Sequence, residues 1–252
     1  MLWTEENKYL FDLNGYLVLE NYFPLAIISR MRATLKYLES LEEYPYPVVQ
    51  GKLRTAQELY LSNIAEYDDD FESLICDPGI LEIIEKTTMG YYRFNHSYSI
   101  SHWAGGSTHL HMGGYPIHPK ALYQVKNGDI FSSLTKAVIP LDNHNVEDGC
   151  FCVVPGSHKA NFDNKYNLGS PSDHPAIKPL PAKPGDLIIF TEALQHGGLN
   201  NISNNIRRTI YYCYSVGSMP DWGSLGLHCS DALYKSENEQ LRETVRLKVG
   251  AR

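Results

Sequence analysis

Tyr91-Tyr-Arg-Phe-Asn-His-Ser-Tyr-Ser-Ile-Ser101 sets Arg93, Asn95, Ser97 and Ser99 against Phe94, His96, Tyr98 and Ile100. Successive side chains of a strand point to opposite faces, so this alternation predicts a β-strand with two unlike faces. Downstream, Ile130 to Leu141, Cys150 to Val154, Asp186 to Thr191 and Arg207 to Val216 are each rich in β-branched, aromatic or cysteine residues, with Gly, Pro, Asn and Asp between them. Upstream, the pattern turns helical. Thr4 stands as an N-cap before Glu5 and Glu6, Gly15 closes that helix, and Tyr16 to Leu19 reads as a short strand. Pro24 opens a helix from Leu25 to about Glu43, with Ile28, Met31, Leu35 and Leu38 on one apolar stripe. A loop from Tyr44 to Val49 leads to a polar helical region containing Asp68-Asp-Asp70, and Pro78 begins another helix that ends near Gly90. Glu237 to Val249 reads as a charged helix. The expected fold is mainly β with flanking helices, a double-sheet jelly roll of the cupin-like kind. One domain is expected over residues 1–252: a helical part to about 90, a β core over about 91–216, and a helical tail.

Composition narrows the partners. The 252 residues are 43% hydrophobic and 20% charged, enough to bury a full core. Lys and Arg number 22 against 29 Asp and Glu, a net charge of -7 with no basic run, which argues against nucleic acid. Five cysteines without a CxxC pattern fit free thiols in a reducing compartment. The opening Met-Leu-Trp-Thr-Glu-Glu lacks the regions of a signal peptide, and no apolar run reaches the ~20 residues of a membrane span. The expectation is a cytoplasmic, soluble protein with no membrane partner.

Chemistry concentrates in His109-Leu-His111-Met-Gly-Gly114 and a distant His196. Two imidazoles brought together on a β scaffold can hold a divalent transition metal, and they do not by themselves name it. A non-haem Fe(II) oxygenase usually adds a carboxylate two residues after the first histidine; here that position is Gly113. Arg207 follows His196 by 207 − 196 = 11 residues, a spacing that suits a hairpin. A buried arginine there can clamp a dicarboxylate bidentately.

These features together resemble the phytanoyl-CoA dioxygenase family of Fe(II)/2-oxoglutarate oxygenases. The resemblance runs over roughly residues 10 to 216, through Asn14-Gly-Tyr-Leu-Val, Pro155-Gly-Ser-His, Gly185-Asp, and His196 with Arg207 after it. It implies a double-stranded β-helix fold, iron held by His111 and His196, the distal carboxylate of 2-oxoglutarate held by Arg207, and O2 as the oxidant. The chain departs from the family's His-x-Asp at His111-Met112-Gly113. A His-x-Gly pattern resembles the aliphatic halogenases, in which chloride takes the position a carboxylate would fill. On that resemblance the expected activity is halogenation of an unactivated sp3 carbon in a freestanding small metabolite, with Gly113 as the open halide position. A hydroxylase and a non-catalytic binding protein on the same scaffold are the alternatives.

Other residues receive structural expectations. His109 shares a strand face with His111, but the resemblance selects His111 and leaves His109 a supporting part. Glu192, four residues before His196, can in principle supply the carboxylate that Gly113 lacks, but is expected instead to cap or pair at a strand end. His158 belongs to a turn, Asp186 shapes another, and alternation sends only one of Arg207 and Arg208 inward. His102, His118, His144, His174 and His228 have no spacing that argues for metal.

Overall fold

The computed structural model describes all residues except 51–53, 113–117, 161, 164, 167–168, 223–226, 247 and 250–252. In chain order the elements are α1 (Glu5–Asn14), β1 (Tyr16–Leu19), α2 (Leu25–Glu39), β2 (Val49–Gln50), β3 (Glu58–Ser62), α3 (Asp69–Glu72), α4 (Pro78–Thr87) and β4 (Tyr91–His102). They continue with β5 (Thr108–His111), β6 (Tyr123–Lys126), β7 (Asp129–Ser132), β8 (Leu134–Pro140), β9 (Phe151–Val153), β10 (Lys178–Pro179), β11 (Leu187–Thr191), β12 (His196–Gly198) and β13 (Arg207–Val216). The tail holds α5 (Asp231–Tyr234), α6 (Glu239–Arg246) and β14 (Lys248–Val249).

Among the described residues the strands form two main sheets. The larger runs β1-β11-β8-β13-β4-β3-β2, with β14 added to β4, and the smaller runs β10-β9-β12-β5. Every pairing is antiparallel. The architecture is the jelly roll that the alternation predicts, the double-stranded β-helix that the resemblance implies. Tyr98, Val138, Phe190 and Tyr211 of the large sheet pack with Phe151 and Val153 of the small one to fill the space between sheets. The opposite face of the large sheet carries Phe94, Ile139, Ile189 and Tyr212, and the stripe Ile28, Met31, Leu35 and Leu38 of α2 packs into that second core. Among the described residues no helix is long and apolar enough to cross a membrane.

Local chemistry explains the boundaries. Thr4 accepts a hydrogen bond from the Asn7 amide, and Gly15, at φ 85°, closes α1 by donating to the Phe11 carbonyl. The second helix stops at Glu39, short of Glu43, because the Ser40 amide and hydroxyl both turn back to carbonyls of the last turn. The stretch expected as a polar helical region begins instead with β3. There Tyr60 enters the inter-sheet core while Leu59 and Leu61 enter the helical one, so a strand between two cores loses its polar alternation. The strand expected over Ile130 to Leu141 is split between β7 and β8, and a hairpin through Asn127 (φ 54°) and Gly128 (φ 85°) precedes it. The helix expected to reach Val249 ends at Arg246, and Lys248–Val249 pairs with β4.

Candidate metal centre

Strands β5 and β12 are neighbours in the small sheet, and their register sets His196 directly opposite His111. The two rings lie 4.1 Å apart between centroids. Each imidazole is oriented through Nδ1, which donates to a carbonyl two residues earlier: His111 to His109 at 2.9 Å and His196 to Leu194 at 2.7 Å. That tautomer puts the ring lone pair on Nε2, as a metal ligand requires. Burial, with His111 beside it, holds the His196 pKa well below its ordinary value, so the ring stays neutral. The exposed His109 side chain lies at the pocket, and the residue's carbonyl is what fixes His111.

A third donor stands with them. Ligand atoms of His111, Glu192 and His196 all lie within 4.8 Å of one another, the one such group among the described residues. Glu192 is 1% exposed and opens the turn that carries the chain from β11 in the large sheet to β12 in the small one. Its amide donates to the Leu134 carbonyl, and the Leu194 amide closes the turn onto Thr191. Facing Glu192 from β8, Lys136 places Nζ 2.7 Å from Oε2 and donates to the Tyr98 hydroxyl at 3.2 Å. Burial pulls the Lys136 pKa down, but the Glu192 carboxylate outweighs it and holds the ammonium above its ordinary value. These groups line a cavity of about 460 Å³ whose walls include Tyr60, Tyr98 and Trp222. The rings of Tyr60, Tyr98 and Tyr211 form a continuous stack, with centroids 5.0 and 4.5 Å apart.

Arg207 opens β13 on the face that Tyr211 shares, toward the space between sheets, while Arg208 faces the helices and pairs with Glu39 and Asp142. The Arg207 guanidinium is buried. It donates to the Gly149 carbonyl and to Nδ1 of His102, whose Nε2 is hydrogen-bonded to Glu58. Its Nε has no hydrogen-bond partner, and among the described residues it forms no ion pair with a carboxylate. Burial pushes its pKa down, yet a guanidinium stays charged. Gly198, two residues after His196, makes this packing possible, since a Cβ there would lie 2.6 Å from Nη1. A buried cation with no carboxylate in direct contact among the described residues, and Glu58 reached only through His102, is chemically suited to a carboxylate ligand.

The remaining positions are structural. His158 bonds the Asp12 carbonyl, His144 bonds the Arg208 carbonyl, and Asp186 accepts from the amides of Asn21 and Lys183. Gly113 lies outside the described residues. Lys136 is a functional neighbour with a usable signal in the sequence: a lysine inside the otherwise apolar Leu134-Thr-Lys-Ala-Val-Ile139, since a buried strand carries a charge only with a partner. Glu192 does pair at a strand end, as expected, and it also stands beside the two histidines, the less favoured of its two expected places.

The model of the family described as Phytanoyl-CoA dioxygenase (PhyH) matches residues 11–209. No curated protein matches the chain in sequence. Among solved structures, HygX from Streptomyces hygroscopicus with nickel and 2-oxoglutarate bound is similar, with TM-score 0.76 and 21% identity over 88% of this chain and 90% of that one. HygX is also solved with nickel, 2-oxoglutarate and hygromycin B. The non-heme alpha ketoglutarate dependent epimerase SnoN from nogalamycin biosynthesis has TM-score 0.63 and 17% identity over 84% and 83% of the two chains. The carbocyclase SnoK from the same biosynthesis has TM-score 0.63 and 17% identity over 88% of each. At these identities the likeness is one of fold.

Proposed function

The chain belongs to the phytanoyl-CoA dioxygenase family of iron(II)/2-oxoglutarate-dependent oxidoreductases, and from that premise we propose that it oxidises a C–H bond of a freestanding small metabolite, using O2. The observation that carries the reading is the buried Arg207 guanidinium, short of a counter-charge, on the strand after the paired histidines. In this reading His111 and His196 bind Fe(II) through Nε2, and Arg207 receives the distal carboxylate of 2-oxoglutarate. The iron and its cosubstrate supply the oxidising power when bound. The protein's part is to orient both imidazoles through backbone carbonyls, to exclude water from the guanidinium, and to seat the substrate against Tyr60, Tyr98 and Trp222. The cavity of about 460 Å³ suits a small molecule, and the bound 2-oxoglutarate and nickel of the similar HygX agree with the cosubstrate and the metal.

The test is 2-oxoglutarate turnover to succinate with Fe(II). Arg207→Ala is expected to raise the 2-oxoglutarate KM by tenfold or more, since removing one partner of a buried charge pair costs about 2–5 kcal/mol. Arg208→Ala is expected to leave that KM nearly unchanged; equal effects from the two would defeat the Arg207 assignment. Halogenation is the second reading, favoured by the missing side chain at Gly113 two residues after His111. It requires an iron position open to chloride. Product analysis at saturating chloride separates the two, and a hydroxylated product alone would exclude the halogenase.

A further inference from the structure

We infer that Glu192 supplies the carboxylate of the iron site and that Lys136 is its positioning residue, holding the second carboxylate oxygen away from the metal. The inference rests on the iron/2-oxoglutarate reading above and deepens it by naming a ligand that His111-x-Gly113 lacks.

Three observations converge. First, Glu192 is buried with a ligand oxygen in the same cluster as the two imidazoles, brought there by the turn between β11 and β12. A metal with bonds of about 2.1 Å holds neighbouring ligand atoms about 3 Å apart, so the cluster closes on an ion by small side-chain movements. Second, no other acid joins the cluster among the described residues. Residues 113–117 read Gly-Gly-Tyr-Pro-Ile and hold no carboxylate, whatever their conformation. Glu58, the other acid lining the cavity, is hydrogen-bonded to His102 at 2.9 Å. Third, the charges demand it. Lys136 is buried and its ammonium is 2.7 Å from Glu192 Oε2. Without the glutamate, the buried ammonium and a divalent cation would face each other with no anion between them.

One oxygen engaged by Lys136 leaves the other for the metal, which makes Glu192 a ligand through a single oxygen. The paired histidines and this carboxylate then form the two-His-one-carboxylate arrangement of oxygenases, assembled from a different strand end. A carboxylate from Glu192 would take up the place that Gly113 leaves for chloride, which would favour oxygenation over halide transfer.

Anaerobic titration with Co(II), read by its visible d–d absorption, tests this on the purified full chain. Wild type is expected to bind, and His196→Ala to lose binding. Glu192→Ala and the near-isosteric Glu192→Gln are expected to weaken Co(II) by about 100-fold or more and to change the band shape, a loss at least as large as for outer partners of metal ligands. Chloride should perturb the Co(II) spectrum of Glu192→Ala and leave wild type unchanged. Lys136→Met should retain Co(II) with an altered spectrum, the mark of a carboxylate freed to bind through both oxygens. If both Glu192 variants bind Co(II) with wild-type affinity and spectrum while His196→Ala does not, Glu192 is no ligand, and the iron/2-oxoglutarate reading still stands. Failure of wild type itself to bind Co(II) overturns that reading, and the inference with it.

Discussion

Gly198 shows how tightly one residue constrains the cosubstrate side of the site. Its missing side chain leaves room for Arg207, and an added Cβ would stand 2.6 Å from Nη1 and 2.8 Å from Nη2. Gly198→Ala is therefore expected to push the guanidinium off its seat. Overpacking of this kind costs about 1–3 kcal/mol, which, carried into binding, is a loss of roughly 5- to 150-fold in 2-oxoglutarate affinity. Isothermal titration calorimetry measures it, and Co(II) affinity should change far less because His196 and its Leu194 anchor are untouched. An unchanged 2-oxoglutarate affinity would mean that the arginine does not hold the cosubstrate where it packs. Gly197 faces a similar limit, since its Cβ would lie 2.7 Å from the Thr108 carbonyl and drive β5 away from β12.

The strand β13 divides structure from chemistry between adjacent residues. Arg208 joins Glu39 of α2 and Asp142 in a nearly buried network, so Arg208→Ala strands a buried carboxylate and should cost about 3–5 kcal/mol of stability. Urea denaturation of the two alanine variants separates the roles: the larger drop is expected for Arg208→Ala, which strands a buried carboxylate, and a smaller one for Arg207→Ala, which leaves only neutral acceptors on Gly149 and His102 unpaired. A larger loss for Arg207→Ala would reverse the assignment of inward and outward faces. Elements of this kind were legible in the sequence because alternation and caps are local: Tyr91–Ser101, Thr4, Gly15 and the α2 stripe all follow from near neighbours. What stayed hidden depends on tertiary packing. Leu59-Tyr-Leu61 lost its strand signature by lying between two cores, and Glu192 meets His111 only because a turn crosses between sheets. His111 and His196 are 85 residues apart (196 − 111), and only sheet register makes them neighbours.

Across the whole molecule, histidines buried in the neutral form tie stability to pH. Burial pushes the His144 pKa down to about 3 and that of His158 down to about 4. Between those values and 6.5 the unfolded chain binds protons that the native chain does not. Stability is therefore fully present above about 6.5 and is lost as pH falls toward about 4, by up to about 1.4 kcal/mol per pH unit for each histidine. Thermal unfolding followed by circular dichroism from pH 7.5 downward should show Tm falling through that window, and a Tm that rises there would contradict neutral burial of these rings. The central claim is the joint site for iron and 2-oxoglutarate, and anaerobic visible absorption tests it most directly. Adding 2-oxoglutarate to the wild-type chain with Fe(II) should produce the charge-transfer band of a chelated 2-oxo acid, abolished in His196→Ala and restored in Arg207→Ala only at far higher 2-oxoglutarate. No 2-oxoglutarate-dependent band in the wild type, with Fe(II) and cosubstrate in excess, would contradict it.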